Sequence, residues 1–130
     1  MSPASPAFGL SRIGQIAVPV GDLPRAVAFY RDTLGMRLLF EVPKMAFFDL
    51  NGVRLMLALP EGMEDVHRMS SIIYYTVDDI EHAARTLESR GVAFETRPHL
   101  IARLAHADLW MAAFRDPDRN VLELMAEVAR

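Results

Sequence analysis

Ile13-Gly14-Gln15-Ile16-Ala17-Val18-Pro19-Val20-Gly21-Asp22-Leu23, residues 13–23, sets the reading of the whole chain. Ile16, Val18 and Val20 alternate with Gln15, Ala17 and Pro19, the period-2 pattern of a strand with one face on a core. Pro19 has no N–H to give to a neighbouring strand, which places this strand at a sheet edge or at a bulge. Asp22 then suits a helix N-cap and Pro24 the first turn, and Leu23, Ala26, Val27, Tyr30 and Leu34 fall on one helical face that Gly35 terminates.

Three short strands follow, Met36 to Val42, Met45 to Leu50 and Val53 to Leu59, the last two joined by the hairpin signal Asn51-Gly52. The same order then returns. Ile72 to Val77 is a β-branched and aromatic run. Asp78 and Asp79 cap a second helix, with Glu81 three residues beyond Asp78 as in a capping box, and Ile80, Ala83, Ala84 and Leu87 form its apolar stripe. Beyond Gly91, Val92 to Thr96, Leu109 to Phe114 and Val121 to Met125 read as strands, the last after the turn Asp116-Pro117-Asp118-Arg119-Asn120. Val20-Gly21-Asp22-Leu23 parallels Val77-Asp78-Asp79-Ile80, Leu34-Gly35-Met36 parallels Arg90-Gly91-Val92, and Leu55-Met56-Leu57 parallels Leu122-Glu123-Leu124. The fold class is therefore α+β, built from two βαβββ modules. A ferredoxin-like α+β sandwich shares the element order and stays open on pattern alone. The expected division is a loose leader at 1–11, a first module at 12–60, a linker at 61–70 and a second module at 71–127, all within one domain spanning 1–130.

Composition narrows the function classes. With 130 residues and 52% of them hydrophobic, the chain can bury a core without staples. A net charge of −3 with no basic stripe argues against a nucleic-acid partner. The absence of cysteine rules out disulfides, thiolate nucleophiles and thiolate metal ligands. No signal peptide and no apolar run of membrane-spanning length stands out, so no membrane is expected and the cytoplasm is the default location.

Ile16-Ala17-Val18-Pro19-Val20-Gly21-Asp22-Leu23, Ala26-Val27-Ala28-Phe29-Tyr30 with Leu34-Gly35, and Phe114-Arg115-Asp116-Pro117-Asp118-Arg119-Asn120-Val121-Leu122-Glu123-Leu124 resemble the opening and closing motifs of the vicinal oxygen chelate (VOC) superfamily, the glyoxalase, bleomycin-resistance and extradiol-dioxygenase group. The resemblance runs from about Arg12 to Glu127. It implies sheets curled into a cup, a homodimer, and a divalent metal held on the concave face by side chains of both modules. Arg119 stands where the family usually has a glycine, at a cost of about 1 kcal/mol if the position needs positive φ.

The resemblance also implies four metal-ligand positions. The first falls on Gln15, able to ligate through its amide oxygen. The second falls on Met56, a poor ligand for a hard cation, the third on Ile72, which cannot coordinate, and the fourth on Glu123. With Gln15 and Glu123 as the two weak candidates, a divalent metal is disfavoured, and the missing histidines argue against extradiol dioxygenase chemistry, whose iron resembles a two-His, one-carboxylate site. Among the histidines, His82 lies on the second helix, His67 in the linker, and His99 and His106 in a segment expected to form a strand and hairpin over the cup mouth; one of these could rebuild a metal site.

By strand parity the cup floor carries Gln15 and Ala17; Arg54, Met56 and Ala58; Ile72, Tyr74 and Thr76; and Val121, Glu123 and Met125, a mostly apolar set with a few polar groups, as in small-molecule sites. Glu123 reads either as a general base or as a structural partner of Arg54, Arg103, Gln15 or Tyr74. His99, Arg103 and Trp110 complete the expected ligand-binding set, and Met45, Phe47, Phe48 and Met111 line the pocket, an interface or the core. The resemblance implies a glyoxalase-like protein handling a small, partly apolar carbonyl-type molecule, a lyase or isomerase if Glu123 abstracts a proton. The alternative is a metal-independent binding or drug-sequestering protein of the bleomycin-resistance type. Cofactor, substrate identity and catalytic status are not set by the sequence.

Overall fold

A computed structural model of the chain describes residues 8, 9, 11–59 and 72–130. The alternating run of the opening stretch forms β1 (Gln15–Pro19), followed by α1 (Leu23–Ala28), a π-helical turn at Phe29–Thr33, β2 (Arg37–Val42), β3 (Met45–Leu50) and β4 (Val53–Ala58). The second unit has β5 (Ile73–Thr76), α2 (Ile80–Ser89), β6 (Phe94–Arg103), β7 (Ala107–Arg115) and β8 (Val121–Ala129). Each unit makes a four-stranded sheet, in the orders β1-β4-β3-β2 and β5-β8-β7-β6. In both, the first strand runs parallel to the last and the other pairs are antiparallel. This is the α+β, twice-βαβββ architecture that the duplication in the sequence implies. No helix among the described residues is long and apolar enough to cross a membrane.

Proline explains the sheet margins. Pro19 lies in β1, whose only strand partner among the described residues is β4. Pro98 lies in the other sheet's edge strand, β6, where the register with β7 shifts between Thr96 and His99. The ladder bond that each ring removes is lost where no inner pairing requires it.

The helices differ from the expected ones in two details. Asp79 alone is the N-cap of α2, its carboxylate accepting the N–H of His82 at 3.0 Å. The third helical residue is then His82, so Glu81 cannot close a capping box and acts only as a negative charge in the first turn. In the first unit Asp22 reaches its terminating glycine in thirteen residues (Gly35, φ 75°), whereas Asp79 reaches Gly91 (φ 95°) in twelve. The additional residue is absorbed as the π-helical turn, in which the Leu34 N–H bonds to the Phe29 carbonyl five residues back.

One apolar cluster serves both units. Val18, Val20, Val27, Tyr30, Phe48, Leu55 and Leu57 of the first pack into the same core as Ile80, Leu87, Phe114, Leu122 and Leu124 of the second. The turn 116–120 fastens them together. Asp116, 3% exposed, accepts the Tyr30 hydroxyl at 2.8 Å, the Asp118 and Asn120 N–H groups at 2.9 and 2.8 Å, and the Asn120 amide at 2.8 Å. Asn120 Nδ2 also donates to the Pro19 carbonyl, and Asp118 accepts the Gly21 N–H at 2.7 Å. Beyond its internal bonds, the turn reaches back to the β1–α1 junction through Asp118 and Asn120 and to the π-helical turn through Asp116. Burial, followed by the charge of Asp116 and the hydrogen bond to it, holds the Tyr30 phenol far above its ordinary pKa. Arg119, in the place of the family glycine, has φ 71°, so the positive-φ requirement is real.

Candidate functional site

Residues directly opposite on neighbouring strands share a face, so the register fixes which side chains meet. On the face turned away from the helices, the first sheet presents the row Gln15–Arg54–Asp49–Arg37 beside the row Ala17–Met56–Phe47–Phe40. The second sheet presents Tyr74–Glu123–Ala113–Thr96 beside Thr76–Met125–Met111–His99. The parity expected for Gln15, Arg54, Met56, Tyr74 and Glu123 therefore holds: the alternate residues Val18, Leu55, Leu57, Leu122 and Leu124 are buried against the helices.

The first sheet's face has an aromatic floor. Phe40 and Phe47 stack at 4.5 Å between centroids, and the Arg54 guanidinium sits 5.7 Å from the Phe47 centroid, within cation–π range. Gln15 Nε2 lies 3.8 Å from the Met56 sulfur, a weak contact that occupies its amide nitrogen and leaves the oxygen open. On the second sheet, Glu123 is half-buried beside Tyr74, and no hydrogen bond or ion pair reaches its carboxylate from the described residues. Neither Arg54, Arg103, Gln15 nor Tyr74 is its bonded partner. No hydrogen bond or ion pair among the described residues joins the Gln15–Arg54 group to the Tyr74–Glu123 group.

Several expected site residues lie elsewhere. Trp110 shares the alternation of Ala112 and Phe114, packs against the core and lies near Asp79 and Ile80 at the start of α2, so it does not belong to the open face. Arg103, at the end of β6, is 3.9 Å from Asp108 across the β6–β7 hairpin, away from Glu123. His99 does lie on the open face, opposite Met111, with Nδ1 2.9 Å from the Arg97 carbonyl. Phe48 is core, while Phe47 and Met111 belong to the face. Ile72, just before β5, is exposed. His82 is exposed on α2 next to Thr86, His106 is exposed in the hairpin, and His67 falls outside the described residues. Phe40 was not legible: a register shift between Leu38 and Phe40 changes the alternation of β2, so simple parity assigns it the wrong face.

The donor set at the four metal positions does not fit a divalent cation. An amide, a thioether, an aliphatic side chain and one carboxylate supply at most two oxygen ligands, fewer than the three or more such sites need. Nor do the described residues contain a group of three or more His, Asp and Glu side chains able to replace them. No step is therefore assigned to a metal.

The family model described as Glyoxalase/Bleomycin resistance protein/Dioxygenase superfamily matches residues 12–124. The chain belongs to that superfamily. YraH of Bacillus subtilis (strain 168) is 28% identical to it over 127 residues, covering 85% of this chain and 94% of that protein. The mitochondrial methylmalonyl-CoA epimerase of Mus musculus is 34% identical over 67 residues, covering 47% of this chain and 38% of the epimerase. Among solved structures, the lactoylglutathione lyase of Agrobacterium tumefaciens superposes with a TM-score of 0.75 at 22% identity, covering 91% of this chain and 95% of the lyase; at that identity the likeness is one of fold.

Proposed function

We propose that this superfamily member takes up a small, partly apolar carbonyl compound on the sheet faces turned away from its helices, and holds it with side chains instead of a divalent metal. The observation carrying this reading is Glu123, a half-buried carboxylate without a bonded partner among the described residues, opposite Tyr74 on the strand face turned away from the helices and flanked along β8 by Val121 and Met125. The stacked Phe40 and Phe47 offer an apolar platform, and Arg54 above Phe47 offers a cation for a carboxylate or carbonyl oxygen. A homodimer belongs to this reading. Leu39, Phe40, Val42, Met45, Leu100 and Ile101 are large apolar side chains left exposed on β2, β3 and β6, and a second copy would cover them.

A second reading makes the same site catalytic. Glu123 would remove a proton next to the carbonyl, and Tyr74 or Arg54 would stabilise the enolate oxygen. It is favoured by the partial sequence likeness to a protein named as an epimerase. Incubation with small 2-oxo acids, hydroxyketones and acyl thioesters in deuterated buffer, after native mass spectrometry has established the metal content, separates the two. The catalytic reading expects deuterium beside the carbonyl and a loss of at least about 100-fold in Glu123→Gln. The binding reading expects compounds to bind, by calorimetry, with no exchange. Stoichiometric metal that is lost in Glu123→Ala sinks the metal-independent premise of both.

A further inference from the structure

A groove of about 770 Å³ lies on the helix side, between the β3–β4 hairpin and α2. Its origin lies in the duplication. The β7–β8 turn, residues 116–120, packs into the angle between α1 and the end of β1 and fills it with Asp116, Asp118 and Asn120. The β3–β4 turn occupies the equivalent place against α2 and the end of β5, but it is only Asn51-Gly52, two residues in place of five. The angle is consequently left open, with Leu34, Met36, Leu50, Val77 and Leu87 along its apolar wall.

The polar groups around this groove have a defined sign. Arg90 and His82 line it, and Arg37 and Asp49, the outer end of the open-face row, border it at the sheet edge; Asp49, the one carboxylate among them, accepts the Gly52 N–H at 3.2 Å and has Arg54 and Arg37 opposite it on the neighbouring strands. Arg90 uses one guanidinium nitrogen on the Thr33 carbonyl. Arg37 forms no hydrogen bond or ion pair with the described residues. Tyr75, also in the lining, has a buried hydroxyl with no hydrogen-bond partner among the described residues, an uncommon condition that a bound water or ligand group would relieve. Burial raises the pKa of this phenol, so it remains a donor at neutral pH.

We propose that this groove is a second binding site, running along α2 and separate from Glu123 and the Phe40–Phe47 floor, for a small amphipathic anion: a carboxylate held by Arg90 and, from the sheet edge, by Arg37, with its hydrocarbon part along the apolar wall. The volume lies within the range usual for small-molecule pockets, about 300–1,000 Å³. The cations select the head group, while the apolar wall selects the tail. Charge-assisted bonds to guanidinium groups make carboxylate preferable to an alcohol of equal length.

Octanoate and 1-octanol are suitable probes, titrated into the full chain and followed by amide chemical shifts. The expected result is a saturable response to octanoate centred on His82, Ala83, Thr86 and Leu87, with 1-octanol at least about tenfold weaker. Arg37→Gln, which removes no hydrogen bond or ion pair with the described residues, should weaken octanoate about fivefold to tenfold. Thr86→Trp, which fills the groove from α2, should abolish the response, while Glu123→Gln should leave it intact. Absence of saturable binding, equal affinity for the alcohol, indifference to Arg37→Gln, or a response centred on Met56, Glu123 and Met125 overturns the proposal. The last outcome would assign octanoate to the sheet faces.

Discussion

Arg119 bears the clearest single-residue tension. Its φ of 71° is a conformation that L side chains occupy at a cost of roughly 1–2 kcal/mol, and glycine at little. What the arginine returns is slight: its guanidinium is 3.8 Å from Glu95, with both side chains substantially exposed. Arg119→Gly should therefore raise stability by about 1 kcal/mol, visible as a higher urea midpoint with an unchanged denaturant slope. A lower midpoint would mean that contacts of this side chain outweigh the backbone strain. Glu123 is the opposite case. Its face was legible from the alternation Leu122-Glu123-Leu124, but its lack of a bonded partner was not, because that depends on where arginines from other strands end up. Arg103 illustrates this, since the hairpin brings it to Asp108.

At the scale of elements, strand order and helix faces were readable because period-2 and period-3.6 patterns occur twice, and an accidental pattern would not recur with its caps and glycines in place. The details lost were those in which one residue is gained or displaced. The π-helical turn is invisible to a periodicity count, although the unequal spacings from Asp22 to Gly35 and from Asp79 to Gly91 contain it. The shift in β2 concealed Phe40, and the N-cap of α2 is one residue later than a capping box requires. This last point has a measurable consequence. Asp79→Ala removes the side-chain acceptor of the His82 N–H and should cost about 1 kcal/mol, whereas Glu81→Ala removes only a first-turn charge and should cost about 0.3 kcal/mol, less at high salt. Chemical denaturation of the two variants at low and high salt checks both values. Equal losses would restore the capping box.

For the whole molecule, the decisive region is the turn 116–120, because it joins the second sheet to the first helix through buried polar groups. Asp116 satisfies both carboxylate oxygens there, and Tyr30, 1% exposed, is committed to one of them. Tyr30→Phe leaves Asp116 its three other donors, so the expected loss at neutral pH is that of one charge-assisted hydrogen bond, about 2 kcal/mol. The pH dependence follows from the same contact. In the unfolded chain the phenol titrates near its ordinary value of 10.0, while in the folded protein its pKa is displaced upward beyond reach. Below pH 10 both states keep the proton and the contribution of Tyr30 is fully present. Above it only the unfolded chain releases the proton, so stability falls with rising pH. Tyr75, raised chiefly by burial, adds a contribution of the same sign. Urea unfolding between pH 8 and 11.5 should show a steepening loss above about pH 10, and Tyr30→Phe should remove part of that slope while leaving the share due to Tyr75. Because one core cluster and one turn join the two units, fluorescence of Trp110 in the second and amide signals from β1 and β4 in the first should report a single coincident transition throughout. Separate transitions, or an alkaline slope unchanged in Tyr30→Phe, would mean that the contact between Tyr30 and Asp116 does not bind the two units into one folding unit.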